Sequence, residues 1–260
     1  MRHSFFSFIF SCGLFLLFLN SAHAYTFSPP VVHLTTSGNS SSFLLTVTNP
    51  DDKVIPLDLT VYEVEKDLDG NPIEGEEVID DFIIYPSQFL LKPREVKLVQ
   101  FRWVGGSDIS QERSFTLFAR ELPLPVEKTK ENMQDGMSAT INVLINYAVR
   151  VYVSPPGAVS DIVVDSVDIQ DNGKEDKKLI IICLNKGTRN GKLIDAQLVV
   201  TSDISAESES ADRPSVTLTR KEIPGFASAI FAKSRRRFVI PWPQELPFGP
   251  VQVILKNVQN

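Results

Sequence analysis

The chain has 260 residues, a formal net charge of −6 and 43% hydrophobic residues, with only two cysteines and three histidines. An acidic balance of this kind argues against nucleic acid as the main partner. Histidine and cysteine are too scarce for a zinc centre.

The first 24 residues read as an address. Arg2 and His3 precede an apolar run from Phe5 to Leu19, and Ala22-His23-Ala24 supplies a small-x-small cleavage signal. This is the pattern of a secretory leader, and the apolar run is too short to span a bilayer as a helix. A mature chain beginning at Tyr25 is expected outside the cytoplasm, without stable membrane insertion. Cys12 leaves with the leader, so an intramolecular disulfide is excluded. Cys183, amid Leu179, Ile180, Ile181 and Ile182, reads as a small buried hydrophobe.

From Tyr25 onward the pattern is β. Runs rich in Val, Ile, Thr, Phe and Tyr alternate with Gly, Pro, Asn and Asp signals: Phe43 to Val47, Leu57 to Val64, Lys97 to Trp103 and Ser114 to Arg120. Asp67-Leu68-Asp69-Gly70-Asn71 reads as a hairpin turn; the later ligands of a calcium loop are missing. Val126 to Ser138 and Ser202 to Arg213 are polar and charged, as in loops. Ser154-Pro155-Pro156-Gly157 is the predicted domain boundary, because two prolines end a strand and stiffen the connection after it. Beyond it come Asp161 to Ile169, Lys178 to Leu184, Lys192 to Thr201, Ser215 to Thr219, Arg237 to Ile240 and Val251 to Lys256. The predicted organisation is a leader at 1–24, a sandwich at 25–154 and a second at 155–260, in an all-β fold.

Ile141 to Val153 stands apart. Ile141, Val143, Ile145, Tyr147, Val149, Val151 and Val153 share one face; Asn142, Leu144, Asn146, Ala148, Arg150 and Tyr152 share the other. At ~3.3 Å per residue the run would span about 43 Å, roughly twice an ordinary strand. Either all its apolar residues serve the first domain's core, or its N-terminal part is an exposed edge that another chain uses.

The chain resembles the PapD-like periplasmic pilus-assembly chaperones over nearly the whole mature sequence. The resemblance rests on Val47-Thr48-Asn49-Pro50, then Phe82-Ile83-Ile84-Tyr85-Pro86-Ser87-Gln88-Phe89-Leu90-Leu91-Lys92-Pro93, then Glu112-Arg113-Ser114-Phe115 running to Glu121-Leu122-Pro123, with the long strand and Pro-rich turn in order behind them. Glu112-Arg113-Ser114-Phe115, the Asp69-Gly70 hairpin and Tyr147-Ala148-Val149 look closer to the archaic branch. The resemblance implies two immunoglobulin-like domains in a boomerang and donor-strand complementation. The long strand would complete an unfinished pilus subunit, which is then passed to an outer-membrane usher. Ile141, Val143 and Ile145 would be the plugs, with Tyr147 continuing the row. Arg150 would anchor the subunit's terminal carboxylate. The second anchor, an arginine in relatives, falls on His33, with Lys97 or Arg102 as replacements. Ser154 stands where many relatives tie the domains together through arginine.

Lys233-Ser234-Arg235-Arg236-Arg237 reads as a solvated turn or a protein contact. No nucleophile elbow or phosphate loop is present, so neither a cofactor nor an enzymatic activity is expected. The competing reading is an exported structural or adhesive sandwich protein with no chaperone activity.

Overall fold

A computed structural model of the chain describes residues 25–78, 80–123, 144, 146–173, 176–203 and 213–256. The leader and three of the candidate plugs, Ile141, Val143 and Ile145, therefore lie outside the described residues.

The N-terminal half contains β1 (Thr26–Ser28), β2 (Val31–Thr35), β3 (Ser42–Thr48), β4 (Ile55–Lys66), β5 (Pro72–Glu77), β6 (Phe82–Tyr85), β7 (Gln88–Leu91), β8 (Val96–Trp103), β9 (Arg113–Glu121) and β10 (Asn146–Ser154). One sheet runs β1-β3-β8-β6; the other runs β2-β10-β9-β4-β5, with β7 also paired to β4. Strict alternation explains how they face each other. Val99, Phe101 and Trp103 on β8 and Phe115, Leu117 and Ala119 on β9 are all buried, while the residues between them are not. Phe82, Phe101, Trp103 and Phe115 pack as an aromatic cluster in the resulting core, with Phe82–Phe101 centroids 4.8 Å apart and an edge-on Phe82–Phe115 pair at 4.9 Å.

The Val47-Thr48-Asn49-Pro50 segment has a clear physical basis. Asn49 is buried at the end of β3, and its amide nitrogen donates to the carbonyls of Lys53 (2.8 Å), Lys92 (2.9 Å) and Leu91 (3.3 Å). Its Oδ1 accepts from the Asp51 amide at 2.9 Å. One side chain thus closes a turn and joins β3 to the end of β7, satisfying carbonyls that would otherwise be costly to bury.

The second half holds β11 (Ile162–Asp171), β12 (Lys177–Asn185), β13 (Gln197–Ser202), β14 (Ser215–Leu218), β15 (Arg235–Pro241) and β16 (Val251–Lys256), as sheets β11-β12-β15 and β14-β13-β16. Its core is separate, built from residues such as Ile181, Leu198, Phe226 and Phe238. Cys183 sits within it, completely buried, and burial pushes its thiol up to about 12. The run Lys192 to Thr201 is only partly strand. Residues before Gln197 form a turn in which the Ala196 amide donates to the Leu193 carbonyl at 3.3 Å, because Leu193 is drawn into the core. The protein is an all-β chain with two sandwich cores, one drawn from residues between Tyr25 and Val153 and one from Ile162 onward.

Several contacts join the halves, and two of them are networks of hydrogen bonds. Glu112, just before β9, has a side chain only 1% exposed. Its Oε2 accepts from the Ser154 hydroxyl at 2.7 Å, and its Oε1 accepts from the Asn190 backbone and side-chain amides at 3.0 and 2.5 Å. The Glu112 amide donates to the Thr188 carbonyl at 2.8 Å. The second contact is the β4–β5 hairpin. Asp67 accepts from the Asn71 backbone and side-chain amides, and Gly70 takes φ 76°, as a tight turn requires. Arg237 on β15 then grips Asp69 through two hydrogen bonds (2.8 and 2.6 Å), while its backbone amide donates to the Leu68 carbonyl. A Cβ on Gly70 would meet the Arg236 guanidinium, which would have to move aside, and the positive φ favours glycine there. The basic run 233–237 thus opens strand β15, with Arg235 paired to Asp165 (2.7 Å) and Arg237 to Asp69.

Candidate functional site

The described part of the long strand is β10, beginning at Asn146. Its pairing is asymmetric. With β9 it pairs antiparallel from Asn146 to Val153, whereas β2 runs parallel to it only from Arg150 to Ser154. Among the described residues, the edge of β10 from Asn146 to Val149 therefore has no strand beside it. An unpaired edge offers backbone donors and acceptors to an added strand. It ends where Arg150 begins, and there the Arg150 amide is already taken by the Pro30 carbonyl at 3.1 Å.

Alternation then sorts the side chains. Val149, Val151 and Val153 are buried in the first core, and Tyr147 lies on the same face, half-buried, its ring stacked on Phe27 at 5.3 Å and 28°. Tyr147 thus belongs to the rim of its own domain's core. Ile141, Val143 and Ile145 have the same parity, so a continued strand would carry that core face outward.

The opposite face, with Ala148, Arg150 and Tyr152, lines a cleft of about 770 Å³ between the halves. Arg150 is exposed, opposite Thr116 of β9 and Val31 of β2. Among the described residues no carboxylate lies within ion-pairing distance of it. The wall across from β10 includes Lys192, Arg220 and Phe231. Lys66, at the end of β4, also lines the cleft; its Nζ donates to the Ala229 carbonyl at 2.8 Å and lies 4.6 Å from the Phe231 ring centre. Burial, and then repulsion from Arg236, Arg150 and Lys192, bring its ammonium down to about 8.

His33 shares the β2–β10 register with Tyr152 and stacks on it, centroids 5.2 Å apart and 20° between planes. It does not line the cleft. Loss of water around the imidazole and the nearby Arg189 keep its pKa below the ordinary histidine range, against the opposing pull of Glu112. The suggested replacements Lys97 and Arg102 both lie on β8, in the other sheet, where Lys97 is paired to Glu95 at 2.8 Å. Neither lines the cleft, because β8 sits between β3 and β6 in the layer that does not carry β10. Lys66 and Lys192 were not singled out from sequence. No local signal separates them from other surface lysines.

Among the described residues no group of histidines, cysteines and carboxylates could hold a metal, and no helix is long and apolar enough to cross a membrane. No protein-family model and no curated protein sequence matches the chain. Solved structures do match. A class 5 fimbriae chaperone, CfaA, aligns at 13% identity and TM-score 0.53, covering 91% of this chain and 100% of its own. A chain of the CFA/I chaperone–tip adhesin complex aligns at 13% and 0.52, covering 89% and 94%. The YadV chaperone aligns at 9% and 0.50, covering 89% and 91%. The chain has the fold of the fimbrial chaperones. The likeness spans nearly the full length of each of them and takes in both sandwiches.

Proposed function

We propose that this protein is an exported, periplasmic chaperone of pilus subunits that holds a subunit by lending it the N-terminal part of the long strand and delivers it to an outer-membrane usher. Residues 1–24 are the export leader in this reading, 25–154 the subunit-binding domain and 155–260 the second domain. The observation that carries it is the open edge of β10 from Asn146 to Val149, ending at Arg150 in a cleft with excess positive charge. Ile141, Val143 and Ile145 are the plugs, on the face that leads into the domain's own core through Tyr147. Burying aliphatic side chains of this size contributes roughly 1.5–3 kcal/mol each. Arg150 receives the subunit's terminal carboxylate through two parallel donors. An added strand that ends at Arg150 and pairs with the residues before it runs parallel to β10, as β2 does. His33, stacked on Tyr152, buttresses the strand carrying that arginine.

The test replaces Ile141, Val143 and Ile145 together with threonine and co-expresses the protein with a candidate pilus subunit. The expected outcome is loss of the co-purified complex and degradation of the subunit. A complex that survives the triple substitution refutes strand lending and returns the protein to a structural or adhesive role.

A further inference from the structure

We propose that Lys66, on β4, supplies the second positive charge for the terminal carboxylate of a bound chain, in place of His33. The inference rests on the carboxylate-anchoring role of Arg150 given above, and it names the residue that completes that site.

The cleft is lined by Lys66, Arg150, Lys192 and Arg220, against a single lining carboxylate, Glu74. Among the described residues none of these four cations is within ion-pairing distance of an acid. Several cations sharing a partly enclosed space repel one another, and an entering anion relieves that repulsion. Lys66 is the best placed of them to do more than contribute background charge. Its amine carries three donors, of which the Ala229 carbonyl takes one, so donors remain for a ligand while the head is held in place. The Phe231 ring lies 4.6 Å from it, within cation–π range. His33 offers none of this: it is not part of the cleft lining, its ring stacks on Tyr152, and burial disfavours its charged form.

The charged and titratable groups facing Lys66 are Arg150 and Tyr152 from β10, Glu74 from β5, Lys192 and Arg220 from the opposite wall, and Arg236 from β15. The Lys66 charge is lost near pH 8. An anion bound beside it raises that value, so binding is full below pH 8 and weakens above it.

The test uses N-acetyl-trialanine with a free carboxylate, and its C-terminal amide, titrated into the isotope-labelled mature protein and followed by NMR. This probe has too little chain to need strand pairing, so its result is independent of strand lending. We expect the acid to bind and the amide not to. Lys66→Met should weaken the acid about tenfold or more, the worth of a charge-assisted hydrogen bond. Lys66→Arg should bind it, and His33→Gln should leave it unchanged. Between pH 7 and 9.5 the affinity should fall in the unmodified protein and stay level in Lys66→Arg. Wild-type affinity in Lys66→Met, or a flat pH profile in the unmodified protein, overturns the role of Lys66 and leaves strand lending intact. Equal behaviour of acid and amide overturns it together with the anchor role of Arg150.

Discussion

Glu112 offers the sharpest test of how the two halves are held. Its carboxylate is almost completely shielded and accepts three hydrogen bonds, from the Ser154 hydroxyl and from both amides of Asn190. Hydrogen bonds to a charged group contribute about 1.5–3 kcal/mol each, but desolvating the carboxylate offsets part of that sum. Truncation to alanine also removes the acceptor of the half-buried Asn190 and Ser154 donors and the partner of Arg189, 4.0 Å away. Glu112→Ala is therefore expected to destabilise the protein by about 3–5 kcal/mol. Glu112→Gln keeps the shape and one acceptor, and should cost about 1 kcal/mol. The assay is urea unfolding followed separately by intrinsic fluorescence and far-ultraviolet circular dichroism. Both tryptophans, Trp103 and Trp242, report on different halves. In Glu112→Ala the two probes should part, because the junction no longer couples the two cores. A loss under about 0.5 kcal/mol with coincident transitions would refute the reasoning, leaving the hairpin clasp through Asp69 and Arg237 as the effective tie.

Asn49→Ala should cost about 2–4 kcal/mol in the same unfolding assay, since it removes two N–H donors shared among three carbonyls and one accepted bond at a buried turn. Asn49→Asp should be no milder, because it replaces the donors with acceptors facing three carbonyls. Cys183 should resist iodoacetamide at pH 8 in the folded protein and react promptly in denaturant; its thiol, pushed up to about 12, holds a negligible thiolate fraction at that pH. Rapid alkylation of the native protein would contradict its burial.

Much of the architecture was legible because β-sandwich physics is local. Period-2 alternation on β8, β9 and β10 reports which residues face inward, whatever the partner sheet turns out to be. Asn49-Pro50 and Asp69-Gly70 mark turns through backbone chemistry that holds within a few residues. Cys183 was readable from its apolar neighbours alone. The run 233–237 was not: Arg235 and Arg237 find their acids, Asp165 and Asp69, far along the chain, and one of those lies in the other half.

By itself, the sequence determined most of the longer strands and their buried faces, because each follows from side-chain parity along one segment, although it began the β13 run too early, at Lys192. Only the tertiary structure decided which cations meet. Sheet membership sent Lys97 and Arg102 on β8 to one layer and Lys66 on β4 to the other. The same step stacked the His33 ring on Tyr152 and made the Ser154 hydroxyl a donor to Glu112. Alternation says that a residue leaves its own core. What it then faces depends on the packing of a second domain, which no local pattern encodes.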